Sequence, residues 1–287
     1  MATTPLGEAQ SGPIATLELE TRSEWSRSWG RFRANRLAIV GLVFIILLIL
    51  MAIFADFLVP YDPLEIVSGM RGQPPTWDHP LGWDNVGRDL LARVVFGSRV
   101  SLIVGLVASF VAVVIGVLVG AVAGYFGGWI DIVLSRLIDT LMAFPIIALL
   151  IVLSAVLGPS LVTTVVVIGA TGWARYARVV RADVLSIKER DFVLAARSLG
   201  VKDYVIIWRH IIPNLLGPVI VLASLGVGNI IILESALSFL GLGVRPPNPS
   251  WGGTLADGRA FINLYPHISI APGIMIVLTV LAFNFFG

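Results

Sequence analysis

The sequence predicts an all-α transmembrane protein with six spans and a polar helical insert on one side of the membrane. Three observations carry this. The 287-residue chain has a mean hydropathy of +0.91 and only 13% charged residues, against roughly 25% in a soluble domain. Its charges are segregated: Leu37–Ala55, Val100–Ile130, Thr140–Ala174, His210–Leu233 and Ala260–Gly287 contain no Asp, Glu, Lys or Arg. Lodged between two apolar spans is Asp191–Asn214, DFVLAARSLGVKDYVIIWRHIIPN, which is basic and rich in helix formers. One uncharged run of about 20 residues fits a buried soluble helix as well as a span. Five such runs in this chain exclude a soluble fold, because a protein of this size has too little interior to hide them.

The elements follow in order. Residues 1–20 hold no basic side chain and no apolar core, so a cleavable signal peptide is not expected. Residues 1–22 read as a disordered cytoplasmic tail. In residues 23–36, Trp25, Trp29 and Phe32 recur at helical spacing, with Arg27, Arg31 and Arg36 between or beyond them. That pattern suits an amphipathic helix in the headgroup layer, or the basic flank of a first span. Leu37–Ala55 is that span. Val100–Ile130 is the second. Its Gly116, Gly120 and Gly124 line one helix face and predict close backbone packing, and Gly127-Gly128 breaks the helix. Thr140–Ala174 is too long for one straight crossing. A turn at Leu157-Gly158-Pro159-Ser160 divides it into spans near Leu137–Val156 and Leu161–Ala177. Arg136 and Asp139, at the start of the third span, are spaced to pair. His210–Leu233 gives the fifth span and Ile268–Phe286 the sixth.

Orientation follows from Lys and Arg near the spans. The first 36 residues hold five arginines. Asp56–Arg99 holds four basic and six acidic residues, Arg175–Arg209 eight basic and four acidic, and Leu237–Tyr265 two basic. Both termini and the segment 175–209 are therefore expected in the cytoplasm, with the loops 56–99 and 237–265 outside.

Within the insert, Trp173, Arg175, Tyr176, Arg178 and Arg181 form an interfacial belt. A helix is expected from Phe192 to Gly200, where the glycine either ends the helix or allows close backbone approach. A second short helix follows, with Val201, Tyr204, Val205 and Trp208 on one apolar face. Pro213 and Pro218 mark the start of the fifth span. Two short helices patterned in this way form either a docking element for a soluble partner or a loop resting on the membrane.

The same stretch resembles the signature cytoplasmic loop of binding-protein-dependent ABC importer permeases, which reads Glu-Ala-Ala, three residues, Gly, and an Ile-x-Leu-Pro ending. Ala195, Ala196, Gly200, Ile212 and Pro213 stand at its positions, with Ile212 in place of Leu. Leu194 replaces the Glu, and His210 replaces the Ile. Arg209–Asn214 resembles the ending found in the peptide-importing subgroup. Trp29–Ala38 resembles the amino-terminal element of the second permease subunit of dipeptide, oligopeptide and nickel importers. His79–Asp89, Arg93, Phe96–Leu102, Leu237–Gly243 and Pro249–Gly252 resemble it too, with Trp83 where the subgroup usually has Thr. The likeness spans residues 25–287. The subgroup's ending continues into an Asp-rich tail, where this sequence stops at Gly287.

The resemblance implies a six-span type I ABC importer permease fold over residues 37–287, with cytoplasmic coupling helices in a loop at about 182–213. It implies a multi-pass inner-membrane protein that forms half of a translocation path for peptides. The implied partners are a homologous second permease subunit, two ATPase subunits, an external substrate-binding protein or lipoprotein, and the lipid bilayer, with no nucleic acid. The subunit itself is not expected to be catalytic or to bind a cofactor. ATP and Mg belong to the ATPase partners, and the sequence has no GxxxxGK[ST] loop. Coupling to the ATPases falls to Ala195, Ala196, Gly200, Val201, Tyr204, Val205 and Trp208. External docking falls to Trp83, Asp84, Arg88, Asp89 and Trp251.

The resemblance also places Glu234, Ser235 and Ser238 near the translocation path. There Glu234 either contacts a peptide amino group or bonds within the bundle, and the neighbouring hydroxyls favour the second role. The alternatives are a nickel or other small-solute importer and a secondary transporter. The absence of Cys and the scattered His79, His210 and His267 favour peptides over nickel. Six spans with no evident inverted repeat disfavour a secondary carrier.

Overall fold

The structure is a computed structural model that describes Arg33 and residues 35–287; the expectations for residues 1–22 and most of 23–36 lie outside the described residues. Residues 37–287 form one compact unit. Every extended regular element among the described residues is helical, and the one β pairing is an isolated bridge between Trp83 and Asp89. The fold is an all-α bundle. Four helical runs are long and apolar enough to cross a membrane, or five when one bent pair is taken as a single span.

At the centre stand α3 (Leu90–Phe126), α6 (Leu161–Ile187) and α9 (Ile212–Phe239). Asp89 caps α3 by accepting from the Ala92 amide at 2.7 Å, and Gly127 closes it at φ +66°. The glycine stripe of α3 does what its spacing predicts. A methyl on Gly116, Gly120 or Gly124 would stand 2.9, 2.6 and 2.9 Å from the carbonyls of Trp173, Ala177 and Arg181. The two helices thus meet backbone to backbone in a four-residue register, where Cα–H groups face carbonyl oxygens. Flanking α3 and α9 are α1 (Arg36–Ile53) and α11 (His267–Phe286), which share a core of Ile45, Leu48, Leu102, Ile231 and Phe283. The short α2 (Ala55–Leu58) is tied to α3 where Arg99 Nη2 meets Asp56 at 2.7 Å.

Two expectations are corrected. The third span, expected to run straight over Leu137–Val156, is broken. It consists of α4 (Gly128–Ala143) and α5 (Ile146–Leu157), bent by 88° at Phe144-Pro145. Pro145 has no amide to donate and forces Phe144 out of the helical region, to φ −79° and ψ 137°. The turn at Gly158 is present, with φ +80°, and Ser160 caps α6 through the Thr163 amide at 3.0 Å.

The second correction concerns the insert. Its first helix, α7 (Asp191–Ser198), stands alone, but the second does not. α8 (Asp203–Ile206) passes through a π-helical turn at Ile207–Ile211 directly into α9. Pro213 cannot donate to the Arg209 carbonyl, and the chain widens just before it, so that the Ile212 amide reaches Ile207. The result is one helical run from Asp203 to Phe239. The short α10 (Trp251–Gly258) lies at the far end of the bundle, against α3, α9 and α11.

Candidate functional site

Three regions concentrate chemistry, and the insert is the first. α7 ends in a left-handed residue, Gly200, at φ +76°. The Gly200 and Val201 amides return to the Arg197 and Ala196 carbonyls at 3.0 and 3.1 Å, the paired bonds of a Schellman cap. No heavy atom lies near a methyl built on Gly200, so the glycine serves backbone conformation rather than close packing. Beneath it, Val193, Ala196, Ile206, Ile207 and Ile211 join Val184, Ile187 and Leu215 in a buried cluster.

The predicted apolar face is divided. Val201 and Val205 are half-buried, whereas Tyr204 and Trp208 are 61% and 59% exposed. With Leu199 at 84%, they leave an apolar surface at the tip of the insert. Ala195 also faces outward. The buried isoleucines were the missed signal, because the π turn resets the helical register between Tyr204 and Ile211.

The insert is fastened to the bundle by polar contacts. Tyr125 donates to Asp203 at 2.5 Å, and the Arg197 guanidinium lies 5.2 Å from the Tyr125 ring centroid. Lys188 donates to the Gly124 carbonyl at 2.9 Å. Between α4 and α6, Arg181 grips Asp131 with Nε and Nη2, the latter at 2.6 Å, and Arg178 meets Asp139 at 2.6 Å. Asp139 therefore pairs with Arg178 across the helices, not with Arg136 one turn away.

The second region is a cavity of about 350 Å³ between the α4–α5 break, α6 and α9. Phe144, Ile146 and Ile230 give it apolar walls, and Thr171, Arg175, Tyr176 and Asn229 supply polar groups. The sequence treated Arg175 and Tyr176 as interfacial residues and gave no sign of the cavity, which needs the bend at Pro145.

The third region is the far end of the bundle. Asp84 accepts from the amides of Val86, Gly87 and Arg88, each at 2.9 Å, and from Arg88 Nε at 2.5 Å. Arg88 and Arg93 converge on Asp257 at 3.1 and 2.8 Å, which joins this loop to α10. Asp89 accepts from His79 Nδ1 at 2.7 Å while capping α3. The His79 ring lies against Tyr61 and Trp83 at centroid distances of 4.6 and 4.3 Å, tilted to each. Trp251 is fully buried and donates its indole N–H to the Val94 carbonyl at 2.9 Å.

Trp83, Asp84, Asp89 and Trp251 are thus interior, and Arg88 is largely so. These side chains hold the loops in shape; the surface nearby is made by residues such as Trp77 and Ile66. Glu234 is also buried. It takes hydroxyls from Ser238 at 2.7 Å, Ser101 at 3.3 Å and Ser235 at 3.4 Å. Ser101 in turn accepts from the Trp251 amide at 3.4 Å. Among the described residues, no three His, Cys, Asp or Glu side chains are grouped as metal ligands.

Residues 116–287 match the family described as the inner membrane component of binding-protein-dependent transport systems. The chain belongs to this family. It is a multi-pass inner-membrane permease component, and residues 23–75 also match the N-terminal TM domain of oligopeptide transport permease C. The dipeptide transport system permease protein of Alkalihalophilus pseudofirmus is 43% identical, over 92% of this chain and 87% of that one. The glutathione transport system permease protein of Shigella flexneri is 40% identical, over 93% and 89%. Among solved structures, the inward-facing MetNI methionine ABC transporter has a TM-score of 0.56 at 19% identity, over 68% of this chain and 92% of that one. That last likeness is one of fold alone. This permease component shares its bundle with a transporter captured open to the inside.

Proposed function

We propose that the chain is one of two homologous permease subunits of an ATP-driven peptide importer. The observation that carries this reading is the 43% identity to a dipeptide permease along nearly the whole chain. Two ATPase subunits dock on the inserts of the two permeases, and an external binding protein delivers peptide to the far end. Six crossings are counted as α1, α3, the bent pair α4–α5, α6, α9 and α11. α6 has 27 residues, and its first half is free of charge while Arg175, Arg178 and Arg181 occupy its second. At about 1.5 Å per residue it is long enough to span. Both termini and the insert then lie in the cytoplasm, as the Lys and Arg distribution requires.

The geometry supports a lever. Leu199, Tyr204 and Trp208 offer the ATPase an apolar surface, with Ala195 and the Gly200 turn beside it. Because α8 continues through the π turn into α9, a push on that surface is carried into the bundle along one continuous helical run. ATP binding closes the ATPase pair, draws two such inserts together and opens the path outward; hydrolysis resets it. The cavity beside Arg175 forms this subunit's share of the path. Glu234, Ser235 and Ser238 hold the outer end of α9 to α3 and α10, and Trp83, Asp84, Arg88, Asp89 and Trp251 stiffen the loops on which the binding protein sits.

The test is uptake by proteoliposomes holding both permeases and both ATPases. Labelled dialanine should accumulate only with ATP on the ATPase side and binding protein on the other. Uptake driven by an ion gradient without ATPases would overturn the reading, as would accumulation of nickel but no peptide.

A further inference from the structure

α6 carries arginines at 175, 178 and 181, within two turns. The facing helix α4 supplies two carboxylates, Asp131 and Asp139. Arg181 takes the first and Arg178 takes the second. Arg175 is left over. Among the described residues, no carboxylate lies within ion-pair distance of it, and its exposed side chain lines the cavity at the α4–α5 break. No acidic residue lines that cavity. Its other polar groups are the neutral Thr171, Tyr176 and Asn229, and its remaining walls are apolar.

The cavity therefore bears one uncompensated positive charge on partly apolar ground. A charge in such a setting interacts more strongly with an incoming ion than it would in open water. The guanidinium is planar and always ionised, and its fork matches a carboxylate in two parallel hydrogen bonds. Thr171, four residues before Arg175 and so on the same helix face, brings a hydroxyl to the same wall. It is already engaged with the Val167 carbonyl at 2.7 Å, which leaves the guanidinium as the strong donor. A cavity of about 350 Å³ is within the usual size for a small-molecule site.

We propose that Arg175 is the carboxylate contact of the translocation path. It would give the permease its own preference for solutes with a free carboxylate, such as a peptide C-terminus, beyond the choice made by the binding protein. The proposal rests on the peptide-importer reading above and adds a residue and a chemical group to it. A lipid phosphate or a carboxylate of the second permease subunit could also answer the charge, and the test separates these sources.

The experiment uses the reconstituted complex with dialanine and its C-terminal amide. Affinities of the binding protein for each are measured separately, so that uptake is compared at equal, saturating loading. Wild type should move the free acid about tenfold faster than the amide, equivalent to about 1.4 kcal/mol. Arg175→Gln should slow the acid about tenfold and change the amide less than twofold. Arg175→Lys, which keeps the charge without the fork, should fall between.

Equal slowing of both peptides by Arg175→Gln would overturn the proposal and assign Arg175 to lipid or to the partner permease. If omitting anionic lipid reproduces that equal slowing, the partner is a headgroup. Should the Gln variant fail to assemble with the ATPases, the wild type alone decides: equal rates for acid and amide at equal loading overturn the proposal. A wild type that moves neither peptide fails the importer reading itself, a separate result.

Discussion

Tyr125 donates its hydroxyl to Asp203 at 2.5 Å, joining the last turn of α3 to the first residue of α8. Asp203 starts a helical run that continues to Phe239, so this bond holds the insert end of that run against a neighbouring helix. Tyr125→Phe keeps the ring and the approach of Arg197 to its face, and removes the hydroxyl that Asp203 and Arg197 both meet. A bond of this kind contributes about 1–2 kcal/mol. The complex should still assemble and hydrolyse ATP, while peptide moved per ATP falls several-fold. Parallel measurement of hydrolysis and uptake in one vesicle preparation checks this, and an unchanged ratio would show that the contact plays no part in coupling.

Gly200 separates backbone need from surface contact. At φ +76° a side chain is strained by roughly 1–2 kcal/mol, yet open space surrounds the position. Gly200→Asn, which tolerates the left-handed region, should leave both assembly and transport near wild type. Gly200→Arg places a long cation beside Leu199, Tyr204 and Trp208 and should weaken ATPase binding at least tenfold without loss from the membrane. Pull-down of the ATPases with each variant is the measurement. Equal and small effects would mean that Gly200 only ends α7.

Much of the architecture was legible in the sequence, for identifiable reasons. Charge segregation locates α1, α3, α9 and α11 because hydrocarbon excludes ionised groups. The Gly116, Gly120 and Gly124 stripe announces a close helix neighbour because its spacing is one face of a helix. The break at Phe144-Pro145 was not legible: an uncharged run reads the same whether straight or bent by 88°, and a proline inside a membrane helix is often tolerated. Pairing was equally hidden. Asp139 reaches Arg178, 39 residues away, in preference to Arg136 on its own helix, which only the packing of α4 on α6 decides. At the far end, the proline-rich and partly aromatic loops suggest a docking surface, yet their Trp83 and Trp251 are buried. A pattern marks positions that matter without saying whether they face outward.

The α3–α6 seam gives a sharp packing prediction with an internal control. A Cβ on Gly120 meets the Ala177 carbonyl at 2.6 Å and Val180 Cβ at 2.9 Å, backbone and branched carbon that have little room to yield. Gly120→Val should cost several kcal/mol and deplete the protein from the membrane, since overpacking of about this size is among the severe classes of substitution. On the opposing helix, a Cβ on Gly172 meets only Ala112 Cβ at 3.5 Å, ordinary contact. Gly172→Ala should be tolerated, with a modest gain from lower chain entropy. Membrane abundance by immunoblot and the melting temperature in detergent decide between them. Equal abundance of the two variants would refute the seam.

Glu234 provides the last prediction. Its carboxyl group gathers Ser235 and Ser238 from α9 and Ser101 from α3, and Ser238 lies 3.5 Å from Ser250 at the start of α10. No basic side chain shares this cage among the contacts made by the described residues, and none of the Glu234 surface reaches solvent. Glu234→Gln keeps the shape but turns one acceptor into a donor. The serine hydroxyls can rotate to meet it, so the cost should be about 1–2 kcal/mol. Glu234→Ala strands the hydroxyls around a void and should cost more, about 2–4 kcal/mol. Because the group is sealed from the path, either substitution should lower uptake of dialanine and of its N-acetyl form by the same factor, in step with loss of thermal stability. A loss confined to the peptide with a free amino group would place Glu234 in contact with substrate and defeat the structural assignment. The paired uptake rates, read beside melting temperatures of the same samples, distinguish the two.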